Sequence, residues 1–240
     1  MSHRMWMLLC AGLAVSTASA ASQAAEMTYP NKPIRLIVPF PPGGSADPLA
    51  RAFGTWFSEK WGVPVVSDNR PGAGTAIAHT LAAKAAPDGY TLLLGASSGM
   101  TTNPAFGAKL EYDSVKDFAH VGLAAYVPQL LVVHAAVPAK NLTELIALAK
   151  AQPGKITCAS PGVGSVGHLS CELLSAMSGA KFVHVPYKGA GPAMTDLLGH
   201  RIQSFIGSVT GTYPQVLAGK LRAIATGRPK RLADIPDIPT

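Results

Sequence analysis

Three glycine-rich segments carry the side chains of this sequence that could bind or transform a ligand. The first, residues 40–47, reads Phe-Pro-Pro-Gly-Gly-Ser-Ala-Asp. It follows an apolar run and opens a stretch with helical spacing. After Pro42, Gly43 and Gly44 let backbone N–H groups turn toward a ligand, and Ser45 can cap the helix or donate. Free N–H groups at a helix start favour a carboxylate or a phosphate. The segment lacks the Lys-Ser/Thr ending of a nucleotide-triphosphate loop. Asp47 is expected to brace its own loop, since it would repel an anion. A tight connection without any ligand is the plain alternative.

The second segment, residues 95–99, reads Gly-Ala-Ser-Ser-Gly and matches the nucleophile elbow of serine hydrolases. With Ser97 as nucleophile, Asp196 and His200 follow in a workable order. They stand four residues apart at the end of one expected helix, which is an awkward place to build a triad. Hydroxyl donation to an anion by Ser97 and Ser98 suits the segment better. The third segment, residues 162–167, reads Gly-Val-Gly-Ser-Val-Gly and matches the dinucleotide fingerprint, but the companion acid about twenty residues on is missing. What survives is another open helix start, with Gly164, Ser165 and His168 in position. His168 can equally be a packed, hydrogen-bonded histidine. No cofactor is expected. The seven His are dispersed and no Cys-x-x-Cys occurs, so no structural metal is expected either.

The elements that must position these loops alternate. Apolar runs predict strands over residues 34–39, 63–66, 90–95, 130–134, 156–159, 182–185, 203–206 and 221–225. Helical spacing predicts helices over 45–60, 75–84, 141–151, 165–177, 190–198 and 212–217. Asn141 and Glu144 form a capping-box-like start. The alternation predicts an α/β fold with mainly parallel sheets, in two blocks joined near residues 121–129. The uncharged stretch between Asp117 and Lys140 reads as two buried strands broken at Pro128. In such sheets ligands sit beyond the carboxyl ends of the strands, which is where the three loops fall.

Composition narrows the function classes. At 48% apolar the chain is not disordered, and 24 Gly with 20 Pro in 240 residues exclude a coiled coil or a helical bundle. The net charge of +7 is scattered, without a stripe for nucleic acid. His3 and Arg4, then an uncharged apolar run ending in Ala-Ser-Ala, read as a signal peptide over residues 1–24, cleaved near Ala20 or Ala24. The mature protein is therefore expected in the periplasm of a Gram-negative source. Export permits a Cys158–Cys171 disulfide; two small buried residues are the alternative.

At this level the residues carry a resemblance. VPFPPGGSADPLAR at 38–51 resembles the opening motif of the substrate-binding proteins of tripartite tricarboxylate transporters, the Bug family. NRPGAGT at 69–75, PDGYTLLLG at 87–95, PGKITCASPGVGSVGHL at 153–169, HVPYKGAGPAMTDLLG at 184–199 and GKLRAIA at 219–225 follow in the family's order. The resemblance implies a two-lobed periplasmic binding protein that closes like a flytrap on a small carboxylate. It would deliver the ligand to the membrane permease subunits of the transporter. A ligand-sensing partner of a membrane sensor kinase is the alternative without transport, and a serine hydrolase using Ser97 the alternative with catalysis.

By resemblance the ligand is held by the loops at 41–47 and 162–168. Ser97, Ser98, Ser208 and Thr210 face the same cleft from neighbouring strands. The resemblance further implies lobe one over 25–125, lobe two over 126–228, and 229–240 as the start of a return segment to lobe one. Relatives run on past Thr240, so the C-terminal portion of lobe one is expected to be missing from this sequence. A monomer is expected.

Overall fold

The computed structural model describes residues 29–44 and 46–240, so the signal-peptide expectation and Ser45 fall outside the described residues. Strand β1 (Ile34–Val38) is buried at four of its five positions and forms the middle of a three-stranded parallel sheet. Its neighbours are β2 (Val65–Asn69) and β3 (Thr91–Leu93), in the order β2-β1-β3. Helix α1 (Ala46–Trp61) leads from β1 to β2, and α2 (Ala76–Ala83) from β2 to β3. Leu36, Val38 and Ala50 form the small core of this lobe. Arg35 on β1 pairs with Asp68 on β2, with 2.8 Å from Nε to Oδ2.

The second sheet has five strands, β4 (Gln129–His134), β5 (Thr157–Ser160), β6 (Val183–Pro186), β7 (Ser204–Ser208) and β8 (Leu221–Thr226), in the order β6-β5-β7-β4-β8. β4 runs antiparallel to β7 and β8, while β5 pairs parallel with β6 and β7. Helices α3 (Leu142–Ala151) and α4 (Val166–Ser178) cover one face; α5 (Ala190–Leu198) and α6 (Val209–Leu217) cover the other. The two-residue period of β4 explains both cores. Leu131 and Val133 pack with Leu145 and Cys171 on one side. Leu130 and Val132 pack with Leu197 and Phe205 on the other. Ile235 and Ile238 join this second core, and Thr226 N–H donates to Pro239 C=O, so the chain after β8 lies against the second sheet.

The expected rhythm of strands and helices is present, with local differences that have physical causes. α3 is capped as expected: Asn141 Oδ1 accepts from Glu144 N–H at 2.9 Å, and Glu144 in turn accepts from Lys140 N–H at 2.7 Å. α6 starts three residues before the expected 212, because Ser208 Oγ accepts the Gly211 N–H and opens the helix there. The expectation of two strands around Pro128 is corrected. Only β4 forms, and residues 118–128 hold no regular element. Val121 is 92% exposed and Leu123 86% exposed. An apolar run becomes a strand only beside another strand, and this one finds no partner among the described residues. Among the described residues, no helix is long and apolar enough to cross a membrane.

Candidate ligand-binding site

Both glycine loops sit where the strand order reverses. β1 lies between β2 and β3, and β5 lies between β6 and β7. Connections leave such a strand to opposite sides, so a crevice opens outside its carboxyl end. The segment after β1 is residues 39–45, and the segment after β5 is residues 161–165. The two crevices face each other across the lobes.

In the loop after β5, Gly164 has φ 76° and Gly162 φ 151°. Ser165 caps α4: its Oγ accepts from His168 N–H at 3.2 Å and donates to Gly162 C=O at 2.7 Å. His168 Nδ1 accepts from Gly164 N–H at 3.1 Å. The N–H groups of Val166 and Gly167 open the helix and have no acceptor one turn earlier within it. Gly167 must be glycine, since a Cβ there would stand 2.4 Å from the Ile206 carbonyl oxygen. That close approach seats the start of α4 on β7.

In the loop after β1, Asp47 Oδ2 accepts from Gly43 N–H at 3.3 Å and from Arg51 Nε at 3.0 Å. The hydrogen bond from Arg51 holds its carboxyl below the usual carboxylate range, against the opposing effect of burial. Asp47 thus braces its own loop. Its Oδ1 is buried without a partner among the described residues.

A cleft of about 210 Å³ lies between the lobes. Lobe two lines it with residues 161–163, Ser165 and residues 186–188; lobe one lines it with Phe40, residues 72–75 and Ser98. Of the residues singled out from the sequence, Ser98 and Ser165 reach this cleft. Gly43, Gly44 and Thr210 instead line a neighbouring hollow of about 660 Å³, walled by Pro48, Leu49, Tyr126 and Met194 among others. Pro42 is exposed and Gly44 buried. Ser97 is exposed, and its carbonyl accepts from Thr101 Oγ1. Ser208 is buried as the cap of α6, with Thr210 Oγ1 donating to its Oγ at 3.3 Å. Gly164 and His168 are bonded to each other beside the cleft and do not line it.

The loop at 72–75 was visible only as part of a motif, yet it is the most strained backbone here. Gly72, Ala73, Gly74 and Thr75 have φ of 127°, 47°, 58° and 79°. Positive φ at a β-branched threonine is costly and persists only when the surroundings impose it. They do so here. His79 Nδ1 donates to Thr75 C=O at 2.8 Å, and Thr75 Oγ1 shares a hydrogen bond of 3.0 Å with Ser98 Oγ. His79 is fully buried, against Tyr112 at 5.6 Å between ring centroids.

Three glycines set the contact between lobes. A Cβ on Gly74 would stand 3.0 Å from Val163 O; on Gly164, 2.5 Å from Asn103 Oδ1; on Gly189, 2.8 Å from Pro41. Asn103 Nδ2 donates to Gly74 C=O at 3.0 Å, so the partner of Gly164 is itself held by the strained loop.

The triad order found in the sequence is not a triad in space. Asp196 accepts from Tyr187 Oη and from Arg201, each at 2.8 Å. His200 stacks on His134 at 4.4 Å. Ser97 lies in the other lobe. The Tyr187 hydroxyl is pushed up to about 12 by burial and by its bond to Asp196, so it presents a neutral ring to the cleft.

The histidines are dispersed in sequence but not in space. His168 and His184 stack at 4.0 Å, with Glu172 within 3.7 Å of His168 Nε2, and these three side chains could be grouped around a cation. Gly164 N–H already donates to His168 Nδ1, which leaves the proton on Nε2, the nitrogen facing Glu172. That tautomer suits a hydrogen bond and opposes metal ligation.

Burial holds His79, His134 and His184 below the ordinary histidine value, with the neighbouring imidazoles His200 and His168 adding to it for the last two. The unfolded chain then takes up protons first. Stability is full above the unfolded value of about 6.5 and is lost as pH falls from there through the folded values. The ligand-free thermal midpoint should be level down to about pH 6.5 and drop below it. A level midpoint down to about pH 5 would contradict the buried neutral histidines.

A family model described as "Tripartite tricarboxylate transporter family receptor" matches residues 49–240. Protein BugT of Bordetella pertussis is 38% identical over 235 residues, covering 98% of this chain and 72% of BugT. A solved structure of a periplasmic transporter is 43% identical, with a TM-score of 0.84 over 88% of this chain and 71% of that one. An R. palustris protein solved with adipate is 35% identical, with a TM-score of 0.85 over 88% of this chain and 71% of that one.

Proposed function

The chain belongs to the tripartite tricarboxylate transporter receptor family, and from that premise we propose that it captures a small carboxylate between its lobes in the periplasm and presents it to membrane transporter subunits. It is a binding protein and not an enzyme. The observation that carries this reading is the position of the cleft, between the two lobes and beside the segments that follow both strand-order reversals, Phe40 after β1 and residues 161–165 after β5. Residues 161–163 and Ser165, in the loop that opens α4, line the cleft from lobe two, and the strained 72–75 loop with Ser98 faces them from lobe one. The loop at a helix start and the hydroxyls of Ser165, Thr75 and Ser98 around a small cleft suit a carboxylate. The adipate held by the R. palustris relative is a carboxylate of this size.

In this reading Gly162, Ser165, Thr75 and Ser98 hold the anion, and Gly164 and His168 shape the loop that presents it. Pro42, Gly43, Gly44, Ser45 and Asp47 form the matching loop of lobe one. Ser97, Ser208 and Thr210 stand at the margins. Residues 25–125 and 126–228 move as the two lobes, with residues 118–128 as the connection. Ligand binding favours the closed arrangement because only that arrangement offers both loops at once. The test is a thermal melt of the chain with a panel of carboxylates. Ligand at about 100 times Kd should add roughly 2.7 kcal/mol, a rise of roughly 5–10 °C for a protein of this size. No selective rise with any carboxylate would reject the reading.

A further inference from the structure

We propose that Lys188 is a specificity-determining residue of the interlobe cleft: it selects a ligand with a second carboxylate over the monocarboxylate of equal length. The inference rests on the carboxylate reading above and adds the charge of the ligand's far end.

Among the described residues, Lys188 is the sole charged residue lining the cleft. Among the described residues its ammonium makes no ion pair and no hydrogen bond. Asp196, the acid of the helix that follows it, is already committed to Tyr187 and Arg201. Lys188 sits between the end of β6 and the start of α5, and its neighbour Gly189 packs on Pro41 of the other lobe. That contact fixes the turn when the lobes meet, so Lys188 is offered to the cleft in the closed arrangement. The hydroxyl of Tyr187 is turned away to Asp196, which leaves Lys188 as the strong donor on this wall.

The rest of the lining matches a short chain with two charged ends. Phe40, Pro161, Val163 and Pro186 supply apolar wall. Ser165 and the backbone of residues 161–163 take one carboxylate without a formal charge. A second carboxylate then pairs with the ammonium of Lys188, a residue otherwise exposed to water, whereas a methyl end makes no such pair.

The experiment is calorimetric titration of the chain with butyrate against succinate and hexanoate against adipate, for the unaltered protein, Lys188→Met and Lys188→Arg. The better-fitting diacid should bind the unaltered protein about tenfold more tightly than its monoacid, as one charge-assisted hydrogen bond implies. Lys188→Met should cancel that preference, bringing the diacid down to about the affinity of its monoacid; Lys188→Arg should keep it. Equal affinity for both members of each pair in the unaltered protein, or a preference that survives Lys188→Met, overturns the assignment. If neither acid binds the unaltered protein, the carboxylate reading itself falls and Lys188 falls with it. Binding of monoacids alone would overturn Lys188 and spare that reading.

Discussion

Gly164→Ala should weaken ligand binding by roughly tenfold to a hundredfold while leaving a folded protein. Two costs separate cleanly. The first is local: φ at 164 is 76°, and an alanine held there costs about 1–2 kcal/mol. The open and closed arrangements both carry that cost, so it appears as lower thermal stability without ligand. The second arises only when the lobes meet. The new Cβ would stand 2.5 Å from Asn103 Oδ1. Asn103 cannot swing aside freely, because its Nδ2 donates to Gly74 C=O within the strained loop. Overpacking of this kind costs about 1–3 kcal/mol. Only the closed form bears it, so it appears as lost affinity. The check is a double-mutant cycle with Asn103→Ala, read by calorimetric titration with the best ligand of the panel. The pair should bind more tightly than Gly164→Ala alone, because the obstructing amide is gone. If Gly164→Ala lowers the melting temperature but leaves affinity unchanged, residues 164 and 103 do not meet in the bound state.

The same pair of residues shows what the sequence could and could not disclose. Gly164 was legible as part of a glycine-rich helix start, because that chemistry is local: a strand end, two glycines and a capping serine. Its contact was not legible. Asn103 stands 61 positions earlier in the sequence, in the other lobe. Nothing in its neighbourhood says that it ends beside a loop of lobe two. The 72–75 loop failed for a related reason. Two glycines there predict turns, but Ala73 and Thr75 also take positive φ, which their types argue against. Only the buried His79 beneath them explains it. The signal that could have found the loop is the pairing of a glycine-rich turn with a histidine four residues on in an apolar helix.

The strand expected before Pro128 failed in the opposite direction. Its apolar pattern is right for a strand, but β pairing is never local, and Val121 and Leu123 meet no neighbour among the described residues. Lys188 and Tyr187 were in view as a motif without a role. Which of two adjacent side chains faces a cleft depends on the turn between β6 and α5, and the turn depends on Gly189 packing against Pro41.

Removing the disulfide should produce the largest loss of fold stability, about 3 kcal/mol, as expected for a closed loop of this length. Cys158 on β5 and Cys171 on α4 are bonded, with 13 residues of separation and Cα atoms 6.0 Å apart. From the sequence, two small buried residues were the favoured reading and a bonded pair only permitted, since the outcome depends on how sharply the chain turns from β5 into α4. The turn is sharp because Gly162 and Gly164 allow it, Ser165 caps α4, and Gly167 seats that helix on β7. The disulfide encloses residues 159–170, and within them residues 161–163 and Ser165 line one wall of the cleft. The bond does two things at once: it narrows the unfolded ensemble, and it ties the middle of α4 to β5.

Cys158→Ala with Cys171→Ala keeps both positions small and apolar, so the loss reports the bond and little else. Urea unfolding of the chain, followed by far-ultraviolet circular dichroism, should show the midpoint fall by an amount equal to about 3 kcal/mol. Dithiothreitol should bring the unaltered protein to the same midpoint and leave the double variant where it was. Ligand affinity should fall with the bond, because residues 161–163 and Ser165 lose their fixed place on the cleft wall. An unchanged midpoint with unchanged affinity would mean that the packing of α4 on β5 and β7 alone sets the loop.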